Sequence, residues 1–253
     1  MSSPLLRVEN LNKAFGKVVT ARDLNFTVEA GVLTSIIGPN GAGKSTLINV
    51  LSGLLPADSG HVYFQGEEIT HLPTHRRVRL GLCRSFQVVN VFPHLTVFEN
   101  VEIPVLAQMR KAAHLFRPVA REKAVGQRVM EVLERTNLAG QANGTASALS
   151  HGDQRLLEVG IALAAKPSLL FLDEPTAGMN PVERVDILRH IRRLSASGET
   201  TFVIVEHDMD IVFSLSDRVM VLNRGDIICD GGPDHVKGDR QVRECYLGEE
   251  VVA

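Results

Sequence analysis

The chain has 253 residues, of which 27 are Lys or Arg and 29 are Asp or Glu, and 44% are apolar, giving a formal net charge of -2. This is enough chain to bury a sizeable core in one large domain or in a domain with a lobe, and the lack of a basic excess argues against a nucleic-acid partner. Cys83, Cys229 and Cys245 are scattered with no CxxC pair, as expected of reduced thiols in a cytosolic protein.

No apolar run approaches the roughly 18 residues of a membrane span. The start, "MSSPLLRVEN", has no basic stretch leading into a long apolar one, so no signal peptide is predicted. The expectation is a soluble chain that can dock on a membrane protein.

In chain order, "LLRVENLNKAF", "LNFTVEAG" and "GHVYFQGEEI" predict strands broken by Gly and Asn. "VLTSIIGPNGAGKSTLINVLSG" predicts an apolar strand, a Gly-rich turn and a helix ending at Gly53. Residues from about 90 to 160 predict a helical lobe. "REKAVGQRVMEVLERTNL" puts Val125, Val129, Val132 and Leu133 at helical spacing, and Thr96 with Glu99 forms a capping-box pattern. After Pro167 the pattern becomes α/β. "LLFLD", "TFVIVEH" and "VMVLNRG" predict buried strands around a helix that has Asn180 as N-cap, Pro181 at its first position and Gly198 near its end. Continuous apolar strands alternating with helices predict a parallel sheet covered on both faces.

"GPNGAGKS", Gly38 to Ser45, fits G-x-x-x-x-G-K-[ST] with a strand before it and a helix after it. Its glycines let backbone N–H groups turn toward phosphate oxygens. Lys44 would reach the β- and γ-phosphates, and the Ser45 hydroxyl would help hold Mg2+. The bland alternative is a Gly-rich turn before an ordinary helix. "LLFLDEP" ends a buried strand on Asp173, a position to hold Mg2+ directly or through water. Glu174, pointing to the other side of that strand by alternation, is the candidate to polarise an attacking water. Alone, these carboxylates read equally well as a solvated charged pair. His207 follows the next strand at the same sheet edge. Gln87, by spacing alone, reads as a surface amide.

"ALSHGDQRLLEVGIALAAKP" is a helix start, with Ser150 as N-cap and Asp153 predicted to reach back in a capping box. Such a helix end favours an anion. It is a second anion site in a chain that already has a phosphate loop.

Taken together, the motifs resemble the ATP-binding subunits of ABC transporters over essentially the full length. "GPNGAGKST" is like the family's Walker A loop, and Gln87 falls at its Q-loop. "LSHGDQR" is like the signature sequence and "LLFLDEP" like Walker B. "AGMNP" is like the D-loop, and His207 is like the switch histidine. Phe15 falls where the family places an aromatic ring against adenine. The resemblance implies an α/β fold: a P-loop NTPase core with a mostly parallel sheet, an antiparallel β subdomain and a helical subdomain. Residues 1–88 and 162–253 would form the core and about 89–161 the helical part of one domain.

It further implies ATP and Mg2+ as cofactors. Gly38, Pro39, Asn40, Gly41, Ala42, Gly43, Lys44, Ser45 and Thr46 would cradle the nucleotide, with Phe15 on the base. Ser45, Gln87 and Asp173 would surround the metal, and Glu174, His207, Gln87 and Lys44 would serve hydrolysis. Two subunits would meet head to tail, so that Ser150 and Gly152 face the partner's nucleotide. The implied partners are integral membrane permease subunits, a second ATP-binding subunit and, indirectly, a solute-binding protein, at the cytoplasmic face of the membrane.

The signature departs from the commonest form, LSGGQ, at His151 and Asp153. Asp153 is expected to turn back on its own helix rather than toward phosphate. "SFQVVNVFPHLTVFENV", "DEPTAGMNP" and "ECYLGEE" resemble the importer ATPases for branched-chain and related hydrophobic amino acids. Urea and amide importers and lipopolysaccharide-export ATPases share much of this text. Rival classes are a non-transport ABC ATPase, which usually has two ATP-binding halves or a long coiled coil; a regulatory GTPase, whose N-K-x-D is missing; and a docking module without chemistry. Val91, Phe92, Leu95 and Phe98 read equally as lobe packing or as a docking patch for membrane subunits.

Overall fold

Residues 3–85, 91–109 and 123–250 are described by the computed structural model. The chain opens with β1 (Leu6–Phe15) and β2 (Val18–Val28), then β3 (Thr34–Ile37), α1 (Lys44–Leu51), β4 (Ser59–Phe64), β5 (Glu67–Glu68), α2 (Thr74–Leu80) and β6 (Leu82–Arg84). Among the described residues there follow α3 (Val97–Gln108), α4 (Lys123–Arg135) and α5 (His151–Ala164). The last part comprises β7 (Leu169–Asp173), α6 (Pro181–Ala196), β8 (Thr201–Val205), α7 (Met209–Leu215), β9 (Arg218–Asn223), β10 (Asp226–Gly231), α8 (Pro233–Gly238) and α9 (Arg240–Glu250).

Two sheets result. The first is antiparallel, in the order β2-β1-β4-β5; the second is β10-β9-β3-β8-β7-β6, parallel except for β10. The strand pattern explains the stacking. In β7, Leu169 and Phe171 face one apolar cluster with Leu47, Ile48 and Leu51 of α1 and with Leu6, Val8 and Phe64 of the antiparallel sheet. Leu170 and Leu172 face another cluster with Leu157 and Leu163 of α5 and with Ile187 and Ile191 of α6. A strand covered on both faces has no polar side to alternate, and this is why "LLFLD" is apolar throughout.

The helices carry their predicted marks. Val125, Val129, Val132 and Leu133 are fully buried on α4. Thr96 and Glu99 close a capping box on α3, as do Asn180 and Glu183 on α6. Pro104 lies inside α3 without ending it. β2 begins earlier than its sequence suggests, at Val18, because Phe15 and Val18 close a hairpin with β1. Here cross-strand pairing outweighs exposure: Val18 is 62% exposed. The three-residue β6 and the edge strand β10 have no sequence signal of their own and are strands through their neighbours.

Candidate functional site: a phosphate loop at the carboxyl edge of the parallel sheet

Because β3, β6, β7, β8 and β9 are parallel, their carboxyl ends share one edge. β3 lies between β8 and β9, so strand order reverses there, at the kind of switch point where open α/β sheets take ligands. Residues 38–43 leave β3 at this edge and lead into α1.

The loop needs glycine at two places for steric reasons. A Cβ on Gly38 would lie 2.0 Å from the Leu222 carbonyl oxygen of β9. Gly43 has φ +108 and a Cβ there would lie 2.2 Å from the Thr20 carbonyl oxygen. Gly43 is also the N-cap of α1 and has no side chain with which to occupy the first-turn N–H groups, which leaves that end suited to an anion. Lys44 is buried, and its ammonium donates to the carbonyl oxygens of Gly38 (2.6 Å) and Pro39 (3.0 Å), so it spans the loop from within. Asn40, Gly41 and Ser45 are exposed, Pro39, Gly43 and Thr46 are half-buried, and Ala42 packs inside.

Asp173 ends β7 almost fully buried. Its Oδ2 accepts from Arg84 Nη2 at 2.6 Å, and Arg84 also donates through Nη1 to Asn49 of α1. Its Oδ1 is buried with no hydrogen-bond partner among the described residues. An orphaned carboxylate oxygen, with the Ser45 hydroxyl exposed at the start of α1, is a hard-oxygen donor set that fits Mg2+. Among the described residues no three His, Cys, Asp or Glu side chains gather to hold a metal. That suits an ion bound through one carboxylate together with substrate phosphates rather than in an all-protein cage.

Glu174 corrects the expectation of strand alternation. β7 stops at Asp173, and Glu174 adopts φ +46, the left-handed region that a non-glycine enters at a cost of about 1–2 kcal/mol. The turn of the backbone, not the pleat, separates the two carboxylates. Glu174 Oε1 lies 3.9 Å from Nδ1 of His207, which follows β8 and is exposed.

Glu206, the residue before His207, is buried. Its Oε1 accepts from the Thr176 hydroxyl at 2.8 Å, and burial pushes its carboxyl above the ordinary 4.5. Phe15, at the end of β1, is 49% exposed, with the Lys13 ammonium 5.3 Å from its ring centre. Gln87 lies outside the described residues.

Ser150 is the N-cap of α5 and Gly152 lies in its first turn. The Ser150 hydroxyl accepts from the Asp153 N–H at 3.1 Å, so the N-cap is present. The expected return of Asp153 is not: its carboxylate accepts from Gln141 Nε2 at 3.3 Å, because the 3-10 turn Ala139–Gln141 offers an amide nearby. His151 Nε2 lies 3.6 Å from the Cβ position of Gly178, so the start of α5 abuts the "AGMNP" segment.

Sequence reading missed Arg84, Arg155 and Glu206. Arg84 interrupts the apolar "GLCRSF" and Glu206 ends the apolar "TFVIV", charges that a buried partner would explain, whereas Arg155, after "HGDQ", carries no local signal. The patch reading of Val91–Phe98 divides: Val91 and Phe98 pack against the α3–α5 cluster, whereas Phe92 is 55% exposed.

Fold and site together define a phosphate-loop nucleotide-binding cassette with an added antiparallel sheet and a helical cluster. The ABC transporter family matches residues 21–177. The chain is 38% identical to the high-affinity branched-chain amino acid transport ATP-binding protein BraF of Pseudomonas aeruginosa, over 98% of this chain and 100% of that one. It is 35% identical to LivG of Escherichia coli K12, of the same description, with the same coverage. The crystal structure of the ADP conformation of MJ1267, an ATP-binding cassette of an ABC transporter, superposes with a TM-score of 0.86 at 35% identity, covering 98% of this chain and 100% of that one. A dimeric post-hydrolysis cassette, MJ0796 bound to ADP and Pi, superposes with a TM-score of 0.74 at 25% identity, over 90% and 98%. The chain belongs to the ATP-binding subunits of ABC transporters and is an ATPase of that family. Among its described residues no helix is long and apolar enough to cross a membrane.

Proposed function

We propose that this chain powers uptake of branched-chain or related amino acids by hydrolysing ATP at the cytoplasmic face of the membrane. Two of its subunits, or one and a related chain, close head to tail on two nucleotides and pass the motion to integral membrane permease subunits fed by a solute-binding protein. The observation that carries the hydrolytic reading is the meeting of the phosphate loop, Asp173, Glu174 and His207 at one sheet edge. The amino-acid reading rests on the names of the full-length relatives.

Residues 38–46 cradle the phosphates, with Lys44 on the β- and γ-phosphates and Phe15 against the base. Glu174 orients and polarises the attacking water, assisted by His207 and Gln87. Ser45, Gln87 and Asp173 would hold Mg2+, which when bound offsets the negative charge that develops on the phosphoryl oxygens. Ser150 and Gly152 present the start of α5 to the partner's nucleotide. Residues 1–88 and 162–253 form the core and about 89–161 the helical subdomain. Phe92 is the exposed apolar side chain best suited to meet a membrane subunit.

Light scattering of Glu174→Gln tests the pairing: a dimer only with MgATP supports it, and a monomer with ATP bound directs attention to a different ATPase partner. Uptake of radiolabelled leucine in cells lacking the gene tests the solute. Unchanged leucine, isoleucine and valine uptake overturns the amino-acid reading.

A further inference from the structure

We propose that Arg155 is a positioning residue for hydrolysis, gripping the main chain at Glu174 and so tying the start of α5 to the hydrolytic centre of the same chain. The inference rests on the reading of Glu174 as the group that polarises water.

Arg155 lies on α5 and is 4% exposed. A guanidinium taken that far from water needs its donors filled. Glu158 supplies one partner, its Oε2 2.5 Å from Nη1. Further donors reach consecutive carbonyl oxygens of one peptide run. Nη2 donates to Asp173 (2.8 Å) and Glu174 (3.0 Å), and Nε donates to Pro175 (3.3 Å). A planar fork with fixed donor directions fits three carbonyls in sequence only when the peptide planes between them are set. The middle residue of that run is the one in the left-handed conformation, φ +46, which a glutamate keeps only where the surroundings impose it. That conformation carries the Glu174 carboxylate to 3.9 Å from His207.

An ion pair with Glu158 alone would satisfy the charge and fix α5 internally. The three bonds to 173–175 do something else: they make the turn after β7 move with α5. His151, in the first turn of the same helix, abuts Gly178 and gives a second point of contact downstream of Glu174. Any displacement at the start of α5, where a partner's nucleotide would bear on Ser150, is therefore delivered to the backbone of Glu174 in the same chain.

The experiment compares the full-length wild type with Arg155→Lys, Glu174→Gln and the double variant, by melting temperature, affinity for a fluorescent ATP analogue with Mg2+, and steady-state hydrolysis. Lys keeps the charge opposite Glu158 but cannot present the fork. The expected result is melting and nucleotide affinity close to wild type, KM nearly unchanged and kcat lower by about 10- to 100-fold. The double variant should be no slower than Glu174→Gln alone, because the two residues act as one unit.

Should Arg155→Lys melt much lower, the pair Arg155→Met with Glu158→Met removes both charges and carries the same kcat expectation. Wild-type kcat in Arg155→Lys beside an inactive Glu174→Gln overturns the inference and leaves the Glu174 reading standing. So does a double variant slower than Glu174→Gln by the full Arg155 factor. Wild-type hydrolysis by Glu174→Gln overturns both.

Discussion

Arg84 Nη2 lies 2.6 Å from Asp173 Oδ2, and this pair seals the buried end of β7 to the end of β6. The carboxylate read as a metal ligand is thus already charge-balanced by a protein cation on one oxygen, while its other oxygen is buried with no hydrogen-bond partner among the described residues. Removing the guanidinium leaves an uncompensated buried charge, a change that typically costs about 3–5 kcal/mol. Arg84→Met is expected to lower the stability of the nucleotide-free protein by that order, and MgATP is expected to restore more stability to it than to the wild type. Thermal unfolding with and without MgATP measures both. Equal stabilisation of the two proteins by MgATP would show that Asp173 and the ion do not meet.

The phosphate loop depends on a residue without a Cβ at position 43. With φ +108 and the Thr20 carbonyl oxygen 2.2 Å from where the Cβ would stand, Gly43→Ala must shift the loop or the β2 strand beside it. The expected cost is about 1–3 kcal/mol in stability, with nucleotide binding lost out of proportion to it. Nucleotide titration of the still-folded variant is the measurement, and wild-type affinity would contradict the assignment of this loop.

Asp153 is held by Gln141 rather than by its own helix end. Replacing it with Gln removes one exposed hydrogen bond and a negative charge near the Ser150 cap, so Asp153→Gln is expected to keep hydrolysis within about threefold of wild type and to change stability by no more than about 0.5 kcal/mol. A complete loss of ATPase activity would show that the carboxylate itself serves the site.

Glu206 has its carboxyl raised above 4.5, first by burial and with Thr176 partly opposing that. The folded state therefore holds this proton more tightly than the unfolded state does. The stability this contributes is complete below about pH 4.5 and is lost as pH rises through the higher folded value. Glu206→Gln removes the titration, so its stability relative to wild type is expected to rise over that interval, by at most about 1.4 kcal/mol per pH unit. Denaturant unfolding at pH 4 to 8 reads the difference. A constant gap would mean Glu206 ionises as easily folded as unfolded.

The spacing of "GPNGAGKS", the apolar run before Asp173 and the cap at Asn180 are local facts, governed by backbone sterics, by burial on both faces and by hydrogen bonds a few residues apart. The amino-acid sequence therefore determined the phosphate loop, the buried strands and the helix starts without help from the rest of the molecule. The valine stripe of α4 is legible in the same way, since helical periodicity alone puts Val125, Val129, Val132 and Leu133 on one face.

Other features were decided by contacts between segments far apart in the chain. β6 is a strand only because β7 pairs with it, and Glu174 leaves the pleat under the grip of a helix that begins more than twenty residues earlier. Asp153 turns toward an amide its own helix does not contain. Arg84 and Asp173, 89 residues apart, meet across the sheet edge. Which partner a buried charge finds depends on how strands and helices pack, and that is a property of the tertiary structure, not of any window of sequence.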